Sequence, residues 1–337
     1  MKAAYLEGNN HPYTLKEIPT PLPTGQEVLI KLEFSSFNQR DIRVQKGIYA
    51  AAPLPEGGLA IGSDGYGKVV KVAENADPMW LGREVVINPG RNWGDNPEAF
   101  GPDFKIMGCP DQGTFAEYIA VDQKYIRPKP LHLTDEEAAA LPLAGLTTYR
   151  AVFTKGKVKA GEKVLVTGIG AGTALLALQY ALAAGAEVYV TSGTASKLER
   201  AITMGAKAGF NYKTEDWAAQ ANALTNGFDV VLDSASGKGF AKLIEVLKPG
   251  GRLVFWGGTD GPIESIVPAH IYWKNLSILG TTLGSNQEFA DMLSYSEKHN
   301  IKPVIDRVFP TLAHAQEAAE YLASGTQFGK IVMGNKA

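Results

Sequence analysis

The chain has a single cysteine, Cys109. That excludes a disulfide framework within the chain and makes a reducing compartment, the cytoplasm, the expected location. No apolar run reaches the ~18 residues of a membrane span, and no signal peptide precedes the first strand-like segment, Lys2 to Leu6. The formal net charge is only −2, with no local basic cluster to offset it, so neither a nucleic-acid surface nor a membrane surface is expected. There is no internal repeat and no low-complexity tract. What remains is the composition of a soluble globular protein, 45% apolar and 20% charged. At 337 residues the chain is too long for one small domain and is expected to form two.

What is present is organised around Gly161 to Ser192. Lys163 to Thr167 is a short apolar run rich in β-branched residues, the pattern of a buried parallel strand. It runs into Gly168-Ile169-Gly170-Ala171-Gly172-Thr173-Ala174. A helical pattern follows from about Ala174 to Ala184, stopped by Gly185, and Glu187 to Thr191 completes a βαβ unit. Glycines at such a turn permit positive φ and let backbone approach a pyrophosphate. The amides at the helix N-terminus then favour an anion. Gly168, Gly170, Ala171, Gly172 and Thr173 are therefore candidate dinucleotide contacts. The spacing is G-x-G-x-G-x-A, and Ala174 takes the close-packing position.

Before this unit the chain alternates like β-structure. Lys2–Leu6, Thr14–Ile18, Glu27–Phe34, Gly67–Val72, Arg83–Ile87 and Glu117–Val121 are the expected strands of a partly open barrel, with turn signals between them. Asn88 to Gln112 is a long, turn-rich excursion. Thr134 to Glu137 fits a capping box, so a helix is expected after it, interrupted near Pro142 and resumed through Phe153. Beyond the βαβ unit, strands at Ala208–Asn211, Phe228–Asp233, Arg252–Gly257 and Leu276–Leu283 are mostly separated by helices. Those helices lie around Ser196–Met204, Thr214–Leu224, Phe240–Leu247 and Gln287–His299. Six strands in two βαβαβ halves imply a doubly wound parallel sheet of order 3-2-1-4-5-6. The tail, with strands at Val304–Phe309 and Lys330–Met333 around a helix at Ala313–Ala323, is expected to return to the first domain. The fold class is thus α/β.

An NAD-preferring fold ends its second strand on a carboxylate that binds the ribose 2′-hydroxyl. Here that position is Ser192, followed by Gly193, with Lys197 one turn into the next helix and Tyr212 after the third strand. Hydroxyl, ammonium and phenol suit a 2′-phosphate, so NADP(H) is the expected cofactor. The alternative is that Ser192 and Lys197 are merely solvated, with NAD binding or dual specificity. Asp233-Ser234 and Gly257-Gly258 end the fourth and fifth strands, at the carboxyl edge where such sheets bind ligands.

Several segments, taken in order, resemble the medium-chain dehydrogenase/reductase superfamily over nearly the whole chain. They are Asn38-Gln39-Arg40-Asp41, Gly62 to Gly67, Gly113 to Tyr118, Ala138 to Tyr149, the glycine loop, Pro249-Gly250-Gly251 and Phe328 to Val332. The chain looks most like the zinc-independent quinone oxidoreductase branch and zinc-type alcohol dehydrogenase-like proteins. The resemblance implies a GroES-like domain at 1–126, a Rossmann domain at 127–296 and a return segment at 297–337. It also implies a cleft between the domains and a homodimer joined through the dinucleotide-domain sheet.

Zinc-dependent members place Cys, His, Glu and Cys where this chain has Asn38, Ser63, Asp64 and about Ala144. Their structural zinc uses four cysteines in the region of Asn88 to Gln112, where only Cys109 stands. No zinc is therefore expected, and Asp64 alone is expected to hold a turn or a salt bridge. The resemblance points to Asn38 and Tyr49 as substrate-facing residues, against the alternatives that Asn38 bonds local backbone and Tyr49 packs. It points to Thr147, the backbone of Leu283 and Lys330 as cofactor contacts, with an exposed strand-end lysine as the alternative for Lys330. The implied activity is NADPH-dependent hydride transfer to a quinone or α,β-unsaturated carbonyl compound. A zinc-independent alcohol dehydrogenase or aldehyde reductase, an enoyl-thioester reductase, and an NADPH-binding structural or sensing protein are the alternatives.

Overall fold

The computed structural model describes residues 1–49, 53–213 and 216–336. Its contacts divide the chain into two units, Met1–Ala144 with Gly284–Ala337, and Gly145–Leu283.

Unit 1 begins with an antiparallel pair, Lys2–Leu6 (β1) and Tyr13–Glu17 (β2). Glu27–Ser36 (β3) follows, sending Val28, Ile30 and Leu32 into an apolar core. The next element, helix Gln39–Gln45 (α1), is absent from the sequence reading. Its length is too short to show a period, and two of its buried residues, Arg40 and Asp41, are charged. Asp41 accepts the Asn38 N–H at 2.8 Å and so fixes the helix start. Then come Asp64–Val72 (β4), Glu84–Ile87 (β5), the small pair Gly90–Arg91 (β6) and Lys105–Ile106 (β7), Tyr118–Asp122 (β8) and Ile126–Pro128 (β9). Inside the excursion, Phe100 and Phe104 stack at 4.7 Å. Trp93 meets both edge-on, at 6.0 and 5.3 Å. This aromatic cluster is the excursion's own small core. Asp135–Ala140 (α2) starts at the expected capping box, with Thr134 and Glu137 each accepting the other's amide. Helix Pro142–Tyr149 (α3) follows. The change of texture near residue 127 precedes the division between units, because α2 packs on β3 and β4.

Unit 2 contains Lys163–Val166 (β10), Gly172–Ala183 (α4), Glu187–Ser192 (β11), Ala195–Thr203 (α5) and Ala208–Asn211 (β12). It continues with Trp217–Thr225 (α6), Phe228–Asp233 (β13), Phe240–Glu245 (α7), Leu247–Phe255 (β14), Pro268–Tyr272 (α8) and Ser277–Gly280 (β15). The expected helix start at Thr214 lies outside the described residues. The sheet order is β12-β11-β10-β13-β14-β15, all parallel, which is the 3-2-1-4-5-6 order read from the alternation. The last strand is shorter than expected. It ends at Gly280, and Leu283 lies beyond it, buried, with φ +40°.

The chain then re-enters unit 1 with Asn286–Lys298 (α9), Ile305–Phe309 (β16), Ala315–Ala323 (α10) and Lys330–Gly334 (β17). The sheet of unit 1 runs β16-β17-β3-β4-β5-β9, with β8 also on β3. β17 pairs antiparallel with the end of β3, Val332 opposite Ser36. That register sets Lys330 near the turn from β3 into α1.

Candidate active site

In unit 2 the glycine loop has the backbone its sequence requires. Gly168 and Gly170 take φ of +62° and +123°. The loop is pinned to β11 by Ile169 N–H donating to Thr191 O at 2.8 Å. Ala171 occupies the N-cap of α4 in an extended conformation and places no side-chain oxygen on the first-turn amides. Those amides, with Gly172 and Thr173 among them, are the open donors of a twelve-residue helix. A Cβ on Gly170 would meet Lys197 Cδ at 2.8 Å, so the lysine lies across the loop.

The end of β11 gathers polar groups. Ser192 is buried, and its Oγ accepts Thr194 N–H at 3.3 Å, leaving its own proton to donate. A Cβ on Gly193 would meet Lys213 Cε at 2.7 Å and the Tyr212 phenol oxygen at 2.9 Å. Glycine at 193 is what lets both side chains fold over the strand end. Lys213 was missed by sequence reasoning; its place next to Tyr212 was the available signal. Among the described residues the cluster pairs hydroxyls with ammonium groups and contains no carboxylate, a set that fits a phosphate monoester. The loop and this cluster together fit a dinucleotide carrying a 2′-phosphate.

Other predicted residues of unit 2 lie on α3 and at or just past the ends of β13 and β14. Asp233 is buried, with Thr167 Oγ1 donating to it at 2.5 Å and Ser236 N–H at 2.7 Å. Burial pushes its carboxyl above the usual range, and those hydrogen bonds oppose the shift. Ser236 Oγ donates to Gly257 O at 2.6 Å, joining the ends of β13 and β14. A Cβ on Gly257 would collide with Ser234 O, so Ser234 and Gly257 are close-packed, whereas Gly258 next to them has room for one. Thr147 is buried on α3.

In unit 1, Lys330 is buried, contrary to the alternative of an exposed strand-end lysine. Its Nζ donates to Asn38 Oδ1 at 2.6 Å, Phe37 O at 2.9 Å and Asp64 Oδ2 at 3.1 Å. Asn38 Nδ2 donates to the same Asp64 oxygen at 2.8 Å. The other oxygen of Asp64 accepts Leu143 N–H at 2.7 Å. Beside this cluster, Arg40 donates to Ser63 Oγ at 2.5 Å, to Met107 O at 3.0 Å and to Cys109 O at 3.4 Å. Ser63 in turn donates to Met107 O at 2.7 Å. Asp41 is fully buried, and its Oδ1 has no hydrogen-bond partner. Burial raises its carboxyl to about 6, against the pull of Arg40 and the Asn38 amide. Tyr49 is half-buried, packed against the apolar cluster of Phe37 and Phe115.

Two family descriptions match the chain: an alcohol dehydrogenase GroES-like domain over residues 24–131 and a zinc-binding dehydrogenase over residues 172–298. A zinc-type alcohol dehydrogenase-like protein of Leptosphaeria maculans is 36% identical, covering 96% of this chain and 94% of its own. The crystal structure of an NAD-dependent alcohol dehydrogenase superposes with a TM-score of 0.93 at 34% identity, covering 99% of both chains. The chain belongs to the medium-chain dehydrogenase/reductase superfamily. The quinone oxidoreductase of Mus musculus, 28% identical over 94% of this chain and 92% of its own, is a further relative in it. Membership makes this protein an oxidoreductase, and no helix among its described residues is long and apolar enough to cross a membrane.

Zinc, which two of these names mention, needs thiolate, imidazole or carboxylate ligands around an open position. Of the matching positions, Asp64 alone carries such a group. Ala144 has no donor atom, and Ser63 is spent on Arg40 and Met107. Asn38 Oδ1 and Asp64 Oδ2 are already turned toward an ammonium. The residues present do not fit the ion.

Proposed function

We propose that this protein is an NADPH-dependent reductase that works without zinc and delivers hydride to a quinone or an α,β-unsaturated carbonyl compound. The observation that carries the cofactor reading is the end of β11, where Ser192, Lys197, Tyr212 and Lys213 stand in place of a carboxylate. The solved relative is an NAD-dependent enzyme; the reading here rests on this chain's own side chains. The bound nicotinamide would supply the hydride. Loop amides from Gly168 to Thr173 would hold the pyrophosphate, and the β11 cluster the 2′-phosphate. Thr147, Asp233, Ser234, Gly257, Gly258 and the Leu283 backbone complete the proposed cofactor contacts.

A metal-free site suits an acceptor whose developing negative charge can be met by hydrogen bonds alone. Tyr49 is the proposed donor, since its hydroxyl makes no hydrogen bond among the described residues. Asn38 is the second proposed substrate-facing residue. We further propose a homodimer through unit 2. β15 is an edge strand with one side unpaired, and Tyr272 and Trp273 beside it are 62% and 77% exposed.

The test is a panel of quinones, enones and aldehydes with NADPH and NADH, alongside elemental analysis. NADPH oxidation by a quinone or enone, with substoichiometric zinc, is expected. Tighter NADH than NADPH binding, or one zinc per chain, would overturn the reading.

A further inference from the structure

The strongest feature that the proposed function leaves unused is the buried ammonium of unit 1. Lys330 is 5% exposed. An ammonium carries three N–H donors, and each has an acceptor here: Phe37 O, Asn38 Oδ1 and Asp64 Oδ2. Burying such a charge costs several kcal/mol unless it is both paired and fully hydrogen-bonded. Asp64 provides the pair, and each of its oxygens accepts a further hydrogen bond, Oδ1 from Leu143 N–H and Oδ2 from Asn38 Nδ2. The three side chains therefore form a closed ring with matched donors and acceptors. Two of its three members, Asn38 and Asp64, stand where zinc-dependent relatives carry metal ligands.

We propose that the Lys330 ammonium is the resident cation of this site, in the place a metal would take, and that it positions Asn38. The ring fixes which way the amide faces. Lysine only donates and a carboxylate only accepts, so Oδ1 must face Lys330 and Nδ2 must face Asp64. One Nδ2 hydrogen remains; its nearest acceptor, Ser36 O, is at 3.5 Å, too long for a good bond. A cation on Oδ1 polarises the amide and strengthens that remaining N–H as a donor. Lys330 thus acts through Asn38 and is a positioning residue. Its three donors are spent within unit 1, so contact with a cofactor phosphate would require it to leave the ring.

This inference deepens the reductase reading, and only its kinetic arm rests on that reading. Two variants test it: Lys330→Met, and Lys330→Met/Asp64→Asn, which removes the two charges together. Thermal unfolding, NADPH affinity by fluorescence titration and steady-state turnover are read for each. Lys330→Met should lose several degrees of Tm by stranding Asp64, and the double variant should regain most of them. NADPH Kd should stay within about twofold of wild type in both, while kcat falls about tenfold or more at an unchanged acceptor KM. A rise of about tenfold in NADPH Kd would mark Lys330 as a phosphate ligand and overturn the assignment. So would a double variant no more stable than the single one, or undiminished kcat. If none of the quinones, enones and aldehydes supports NADPH oxidation by wild-type protein, the reductase reading falls, and the melting and affinity arms still decide the assignment of Lys330.

Discussion

The guanidinium carbon of Arg40 lies 4.9 Å from the centre of the Tyr49 ring. Arg40 is itself held by Ser63 Oγ and the Met107 and Cys109 carbonyls, so this cation is a fixed platform. The ring is positioned through its face, and its hydroxyl makes no hydrogen bond among the described residues. Tyr49→Phe keeps the platform and removes the donor. Turnover is expected to fall by about ten- to a hundredfold, with NADPH affinity and Tm nearly unchanged. Stopped-flow and equilibrium titration of the same preparation check this; unaltered turnover would remove Tyr49 from the mechanism.

The fold of Lys213 over Gly193 leads to a prediction on cofactor choice. Lys197→Ala and Lys213→Ala should each raise the NADPH Kd by about five- to thirtyfold, the worth of a charge-assisted contact to phosphate. NADH Kd should not move, because NADH lacks the 2′-phosphate. Equal losses for the two cofactors would place these lysines elsewhere on the ligand.

Asp41 sets a pH dependence of stability. Its folded value, about 6, lies above the ordinary 3.8. The folded state therefore favours the protonated carboxyl. That contribution is fully present below the ordinary value and is lost as pH rises through about 6. Asp41→Asn mimics the neutral acid and can still accept the Asn38 amide. Its stability relative to wild type should improve by about 2 kcal/mol between roughly pH 4.5 and 7.5. Denaturant unfolding of both proteins at the two pH values measures it; a constant difference would refute the burial effect.

Tyr272 and Trp273 pack against each other at 5.8 Å while remaining exposed. If this face joins two copies, wild-type protein elutes with the mass of a dimer. Trp273→Asp should then give a folded monomer by light scattering, with unchanged far-ultraviolet circular dichroism. A wild-type monomer across the micromolar range would defeat the proposal.

The parallel sheet was legible because each of its strands is a short run of apolar residues punctuated by glycine or by an amphipathic helix. Its order followed from alternation alone. The capping boxes at Thr134 and Ser285 are equally local, but only the first was read from the sequence. What could not be read is non-local. Helix α1 is short and buries charge, so periodicity is silent there. Lys330, read from the sequence as a cofactor contact or an exposed strand-end lysine, shows its buried place only when β17 is registered against β3. Only that pairing reveals that a lysine, an asparagine and an aspartate from distant parts of the chain share their protons. Leu283, expected at the end of a strand, lies three residues beyond it with a positive φ. The segment Leu276 to Leu283 contains Gly280, but nothing local says that pairing stops there.

Unit 2 is one continuous stretch, whereas unit 1 is interrupted by it. Asp64 is therefore made 266 residues before the lysine that neutralises it. During synthesis the dinucleotide-binding unit has all its strands while the sheet of unit 1 still lacks β16 and β17. The charge centre of unit 1 then closes late, as a latch, after unit 2 has been made. Any break in β17 should leave a nascent chain with a complete Rossmann sheet and an open, acid-bearing barrel.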